Sequence, residues 1–406
     1  MVGTASTTYG DLLRTPGAAA FSAAALVGRM PISMLGIGTV LLVEDRRGSY
    51  ALAGAVSAAY ALGLAAFSPL VSRAVDRYGQ ARVLPLALAA HATGLVALLL
   101  LTEAGAPAVL LLLAAVLTGG ALPPLGSCVR ARWGALLTAR GRDAEAPAAF
   151  ALESVADEVV FVAGPLLVVT LATALDPVAG LLAALGLGAL GTLALAAQRA
   201  TQPAAHTGDG PRRPSALRLG GVRTLAASMV FVGVVFGSAE VVMVAFGDER
   251  GSETGSGLLL ALVAVGSAVA GLAYGARTWR TPLPRRFVLA LAGLAVGVVP
   301  LLLAPGLLTM APAALLAGIA ISPTLIASFA LVDGLVAADA RTEGFTWLNS
   351  GLGVGVAAGS ALGGAVADEA GARPGFLVCV VGALLALAVA AAWRRTLAPA
   401  AVVPAH

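Results

Sequence analysis

The chain has 406 residues, of which 59% are hydrophobic and 11% charged, and its mean hydropathy is +0.94. A soluble domain carries about 25% charged residues, so this composition excludes an ordinary soluble enzyme or scaffold. All 25 basic residues are arginines, and the net charge is +4. A sequence pI near 9.6 would suggest a nucleic-acid partner in a soluble chain. Here loop arginines facing anionic lipid account for it, and no nucleic-acid partner is expected.

Residues 1–16 are polar and lead into an apolar run of roughly 27 residues, too long for a signal-peptide core; a retained first helix is expected. A membrane-spanning helix needs about 20 apolar residues. Such runs occur twelve times, at roughly 17–43, 50–72, 83–102, 107–129, 147–173, 177–198, 223–246, 255–276, 286–304, 307–332, 343–367 and 374–396. Pro31, Pro69, Pro123, Pro124, Pro165 and Pro323 lie inside them. In a bundle such prolines are tolerated, and small residues let helices pack closely. The longest polar stretch, 199–222, is rich in Pro, Arg and Gly and reads as a cytoplasmic linker. The predicted architecture is an all-α integral membrane protein with twelve spanning helices in two six-helix bundles, residues 1–198 and 223–406. Cys128 and Cys379 fall inside apolar runs, so neither a disulfide framework nor a metal cluster is expected.

Arginine collects in every second gap. Arg14, then Arg73, Arg77 and Arg82, then Arg130, Arg132, Arg140 and Arg142 open the series. Arg199, Arg212, Arg213, Arg218 and Arg223 follow, then Arg277, Arg280, Arg285 and Arg286, Arg341, and finally Arg394 and Arg395. The intervening gaps hold only Arg46, Arg47, Arg250 and Arg373, beside acids such as Glu44, Asp45, Asp248 and Glu249. Positive charge is retained on the cytoplasmic side during insertion, so both termini are expected there, in a cell (inner) membrane.

The halves read as copies. Val43-Glu44-Asp45-Arg46-Arg47-Gly48-Ser49 after the first run is answered by Gly247-Asp248-Glu249-Arg250-Gly251-Ser252 after the seventh. Phe150-Ala151-Leu152-Glu153-Ser154 resembles Phe345-Thr346-Trp347-Leu348-Asn349-Ser350 with one insertion, and Pro123 with Leu125 matches Pro323 with Leu325. Matches in the same order at nearly constant offset point to two parallel repeats around a central cavity.

Between the second and third runs lies Ser72-Arg73-Ala74-Val75-Asp76-Arg77-Tyr78-Gly79-Gln80-Ala81-Arg82. It resembles the signature loop of the major facilitator superfamily, commonly Gly-x-Leu-x-Asp-Arg-x-Gly-Arg-Arg. Asp76, Arg77 and Gly79 keep the core, Ser72 replaces the first glycine, Gln80 and Ala81 replace the basic pair, and Arg82 supplies a nearby charge. The resemblance implies a transporter and a cytoplasmic conformational latch at this loop. Gly164-Pro165 in the fifth run is similar to the helix-bend motif of proton-exchanging exporters, although Val168-Val169 stand where that pattern has glycines. The arginine many such exporters carry in the fourth helix is missing from Ala114–Gly120.

Ionisable groups at membrane depth are costly and mark function. They are Arg29 in the first run, Glu153, Asp157 and Glu158 in the fifth, and Glu240 in the seventh, joined by His91 in the third. At about 1.5 Å per residue, Arg29 is ~18 Å into its helix. Glu153 and Asp157, spaced four apart, share a face on which one acid can meet Arg29, and Glu158 points elsewhere. Four acids against one arginine leave surplus carboxyl groups to take up protons. Glu240, ~25 Å along its helix, is either a proton-loading acid or one that snorkels to water, and His91 either a relay or a packing residue. Met30, Met34, Phe236, Met243, Trp347 and Asn349 are the candidate lining of a mostly apolar substrate cavity.

The expected function is secondary transport, by proton-coupled efflux of a small organic molecule such as a drug or metabolite. Its partners are then the substrate, protons and the bilayer, its cofactor none beyond the proton gradient, and its state a monomer. Uptake or facilitated diffusion of a sugar or metabolite is the alternative on the same fold. A polytopic sensor or enzyme is the alternative from another class; it is disfavoured because no metal set or nucleophile elbow appears, and a chain without lysine has no phosphate-binding Gly-x-x-x-x-Gly-Lys loop.

Overall fold

A computed structural model describes residues 9–205 and 214–398. Among them every regular element is helical. Twelve helical spans are long and apolar enough to cross a membrane, each overlapping one predicted run. Backbone polar groups have no water partner in hydrocarbon, so the chain satisfies them within each helix. The described residues divide into two compact units, one ending at 205 and one beginning at 214. Linker residues 206–213, with Arg212 and Arg213, lie outside the described residues. Its flanks are short helical turns, Arg199–Thr201 and Ala216–Arg218, and the seventh helix begins at Gly220, earlier than its apolar run.

In the first unit the core joins Met34, Leu35 and Leu42 of the first span to Val56, Leu98 and Leu181 of the second, third and sixth. The fourth span, Ala108–Thr138, is interrupted: one helix runs Ala108–Gly120 and the next Leu125–Thr138. Pro123 and Pro124 lack amide hydrogens, so helical bonding cannot cross this stretch. The tenth span is broken at Ala320, between helices Leu307–Ile319 and Ile321–Leu335, three residues before Pro323.

In the second unit the tightest seam joins the seventh helix, Gly220–Asp248, to the eleventh, Arg341–Ala370. Gly355, Gly359 and Gly363, one turn apart, face Gly233, Ser238 and the intervening backbone. A Cβ on Gly355 would collide with the Val230 carbonyl, and one on Gly359 with the Val234 carbonyl. Only glycine permits this approach.

The turns after the first and seventh helices carry the repeat into geometry. Gly48 (φ 59°) and Gly251 (φ 65°) adopt left-handed conformations, and the serine after each caps the next helix. Ser49 Oγ accepts from the Leu52 amide at 3.2 Å, Ser252 Oγ from the Gly255 amide at 3.1 Å. Beside the first turn, Arg46 donates to Glu103 (2.8 Å) and Asp176 (2.6 Å). Arg46 and the Val178 amide hold Asp176 below the usual carboxylate range. Beside the second, Glu249 accepts from the Ala372 amide at 2.6 Å, and Arg250 lies over the Phe246 ring. Each unit thus ties the end of its first helix to the start of its last.

Candidate functional site

The charged residues expected at membrane depth meet inside the first unit. Arg29 Nη2 donates to Glu153 Oε2 at 2.6 Å, and its Nη1 to Asp157 Oδ1 at 2.7 Å. Its Nε donates to the Ala25 carbonyl one turn back, which holds the guanidinium plane. The sequence reading expected one acid as partner; Arg29 takes both, because residues four apart on a helix stack on one face.

A second arginine completes the cluster. Arg130 Nη2 donates to Asp157 Oδ2 at 2.6 Å, and Arg130 Nη1 to the Gly126 carbonyl. Arg130 and Arg132, counted above among gap arginines, instead lie within the helix Leu125–Thr138, 1% and 0% exposed. The apolar run stops before them, but the helix continues because their charges are satisfied inside the unit. The premise of surplus acids is corrected with them: two guanidinium groups face Glu153 and Asp157. Glu153 Oε1 also accepts from Trp133 Nε1 (2.9 Å) and Ser22 Oγ (2.7 Å). Phe21 packs edge-on against that indole at 4.9 Å.

Burial differs across the cluster. Glu153 is 1% exposed and Arg29 6%, while the Asp157 side chain is 29% exposed. A buried ion pair survives only when its hydrogen bonds are complete, and here both carboxylates accept several. The cluster opens to its surroundings at Asp157.

Among the described residues, Glu240 and His91 make no bond to this cluster. Glu158 is half-buried on the same helix as Asp157. Glu240 is exposed on the seventh helix and has no ion pair among the described residues. His91 is 1% exposed, with Nδ1 2.7 Å from the Thr118 carbonyl. A carbonyl only accepts, so Nδ1 carries the proton. That carbonyl lies at the helix break, where the Leu122 amide bonds Gly119 instead. His91 therefore caps the interrupted fourth span; its Nε2 makes no hydrogen bond among the described residues.

The signature motif occupies less loop than expected. The second helix continues through Ser72, Asp76 and Arg77 to Tyr78, the third begins at Gln80, and Gly79 alone separates them (φ 88°). Ser72 is fully buried, while Arg77 and Arg82 are exposed. Gln80, one of the departures from the family pattern, accepts from buried Arg132 at 2.7 Å. Arg132 also donates to the Leu195 and Gln198 carbonyls and to Thr201 Oγ1, and Gln202 Oε1 accepts from the Ala81 amide. The start of the linker is thereby bound to the motif turn.

Gly164 and Pro165 lie within an uninterrupted helix, Ala146–Ala174. Gly164 admits Ser33 of the first helix, whose hydroxyl donates to the Val160 carbonyl at 2.8 Å. Of the expected cavity residues, Met34 and Met243 are fully buried and pack the interiors of their units, so neither offers surface to a substrate. Met30 and Phe236 are half-buried, as are Trp347 and Asn349. Trp347 donates to Glu343 at 3.2 Å. Glu343, 4% exposed, also accepts from Ser215 and from the Ala216 amide. The sequence reading missed Glu343, Arg130 and Trp133; the i, i+3 spacing of Arg130 and Trp133 after a Pro-Pro break was the available signal.

A family model described as Major Facilitator Superfamily matches residues 21–276 and again residues 225–406, covering both repeats. The chain belongs to the Major Facilitator Superfamily. It is a multi-pass membrane transporter and not an enzyme. No curated protein matches it significantly. Among solved structures, the bacterial homologue of the iron transporter ferroportin, outward-facing, is similar at TM-score 0.72 and 16% identity, covering 93% of this chain and 98% of that one. The human organic anion transporter MFSD10 is similar at TM-score 0.70 and 18% identity, covering 92% and 100%. The E. coli fucose:proton symporter FucP follows at TM-score 0.69 and 14% identity, covering 94% and 98%. At these identities the likeness establishes the superfamily fold.

Proposed function

We propose that this transporter exports a small organic molecule, such as a drug or metabolite, against proton entry, by alternating access in the inner membrane with both termini cytoplasmic. The observation that carries the reading is Asp157: a carboxylate in a membrane-spanning helix, held by two guanidinium groups yet 29% exposed. Protonating it removes one of two negative charges facing Arg29 and Arg130 and loosens both ion pairs. A carboxyl group that alternates in this way couples proton movement to a change of helix contacts. Exposed Glu240 is a second acid for the same cycle, and the Ser72–Arg82 turn with Asp76 and Gly79 serves as its latch.

The test uses purified protein in liposomes with an imposed pH gradient, against a panel of lipophilic drugs and sugars. Wild type should move a drug and acidify the lumen accordingly. Asp157→Asn should abolish pH-driven transport while preserving gradient-driven substrate exchange. Retained pH-driven transport in Asp157→Asn and in Glu240→Gln would remove proton coupling through these residues.

One observation favours a second reading, facilitated diffusion or uptake on the same fold. With two arginines opposite Glu153 and Asp157, both acids can stay ionised throughout, and the cluster then only locks helices together. Sugar movement independent of pH would establish it.

A further inference from the structure

The turn between the eighth and ninth spans packs its arginines against aromatic rings. The eighth helix ends at Ala276 and the ninth begins at Leu283. Four arginines, Arg277, Arg280, Arg285 and Arg286, lie within 277–286, a stretch without an acid. Among the described residues none of the four meets a carboxylate. Arg142 by contrast pairs with Glu145 and Arg341 with Asp333, at 2.6 and 2.8 Å.

Aromatic packing, and not opposite charge, holds the turn. Trp279 Nε1 donates to the Tyr274 carbonyl at 2.9 Å, satisfying one of the carbonyls a helix end leaves open. The two rings pack at a tilt of 37°, with centroids 4.8 Å apart. The Arg277 guanidinium lies 4.9 Å from the Trp279 ring, and Arg286 5.7 Å from that of Tyr274. Arg286 Nε is buried and donates no hydrogen bond among the described residues. Arg277, Trp279, Arg280 and Arg285 are exposed. The ninth helix starts here too, so its first free amides and its positive dipole end add to the same field. Four like charges within ten residues, with no carboxylate beside them among the described residues, attract an anion.

The flanking surface says which anion. Val265 and Val269 on the eighth helix are 51% and 63% exposed; Leu289 and Val296 on the ninth are 56% and 73% exposed. Both helices that the turn joins thus carry exposed apolar side chains. Exposed Trp279 stands where interfacial aromatics sit in membrane proteins. We propose that this turn binds the phosphodiester headgroup of an anionic phospholipid, with the guanidinium groups on the phosphate and the apolar helix faces against its acyl chains. Planar arginine forks match phosphate oxygens well. A free phosphate offers the same oxygens but would leave the apolar faces unused.

The full chain, purified and reconstituted in nanodiscs of phosphatidylcholine with or without phosphatidylglycerol, can be released into native mass spectrometry to count retained lipid. Wild type should retain phosphatidylglycerol in preference to phosphatidylcholine. The triple variant Arg277→Gln, Arg280→Gln, Arg285→Gln should weaken that retention about a hundredfold, at about fivefold per arginine. The matched control Arg14→Gln, Arg140→Gln, Arg373→Gln removes equal charge from three separate exposed positions and should retain the lipid. Should the triple variant not fold, Arg280→Gln alone should show the fivefold loss. Undiminished retention in the arginine variants, or an equal loss in the control, overturns the proposal. Displacement of the lipid by inorganic phosphate overturns the headgroup assignment in favour of a soluble phosphate.

Discussion

Arg29 and Glu153 show what a single residue contributes here. Both are nearly inaccessible, and their 2.6 Å bond is one of several that Glu153 accepts. Arg29→Ala leaves Glu153 facing only the neutral donors Trp133 and Ser22, at a cost of about 3–5 kcal/mol. Glu153→Gln retains an acceptor oxygen for those donors and removes the charge. The double variant Arg29→Ala, Glu153→Gln should therefore unfold at a higher temperature than Arg29→Ala alone. Thermal unfolding in detergent measures it, and strictly additive losses would show the pair to be uncoupled. Asp157 behaves differently, because Arg130 still holds it when Arg29 is gone.

For whole helices, close backbone approach decides the packing. Lipid tails are as apolar as leucine, so apolar side chains alone do not draw two spanning helices together. Gly355 of the eleventh helix lies against the Val230 carbonyl of the seventh, whereas nothing lies within 4 Å of a Cβ built on Gly353. Gly355→Ala must push two helices apart and should cost about 1–3 kcal/mol. Gly353→Ala, on the open face, should be neutral or stabilise by up to about 1 kcal/mol through helix propensity. Unfolding temperatures of the two variants should move apart accordingly; equal effects would place the seam elsewhere. At the same scale, Pro123 and Pro124 break the fourth span, and the polar groups at the break are recovered by His91 and by the next turn of helix.

Considered as a whole molecule, the twelve spans among the described residues and the arginine bias predict that both termini are cytoplasmic, as proposed above. Fluorescent-protein fusions at residues 1 and 406 should both be bright, and alkaline phosphatase fusions at both should be inactive. A cysteine placed at exposed Asp45 should react with an impermeant reagent from outside. Reaction from the cytoplasm only would invert the topology.

Much of this protein was determined by its sequence alone. Spans of about 20 apolar residues and the Gly-Ser turns at 48–49 and 251–252 are local signals, and each emerged as a helix or a cap. They are legible because a bilayer imposes one constraint on every span: backbone bonds must close within the segment. That Arg29 meets an acid of the fifth helix was legible for the same reason, since an intramembrane charge needs a partner; that it meets both Glu153 and Asp157 was not. Tertiary structure alone decided what Arg130 and Arg132 do. Hydropathy ends the fourth run at the first charge, yet the helix continues to Thr138 because Asp157 lies 27 positions on and Gln80 and Leu195 are 52 and 63 away. It likewise buried Met34 and Met243 and seated Gln80 on Arg132. Burial and ion pairing between distant helices depend on which faces meet, and composition along one helix carries no record of its neighbours.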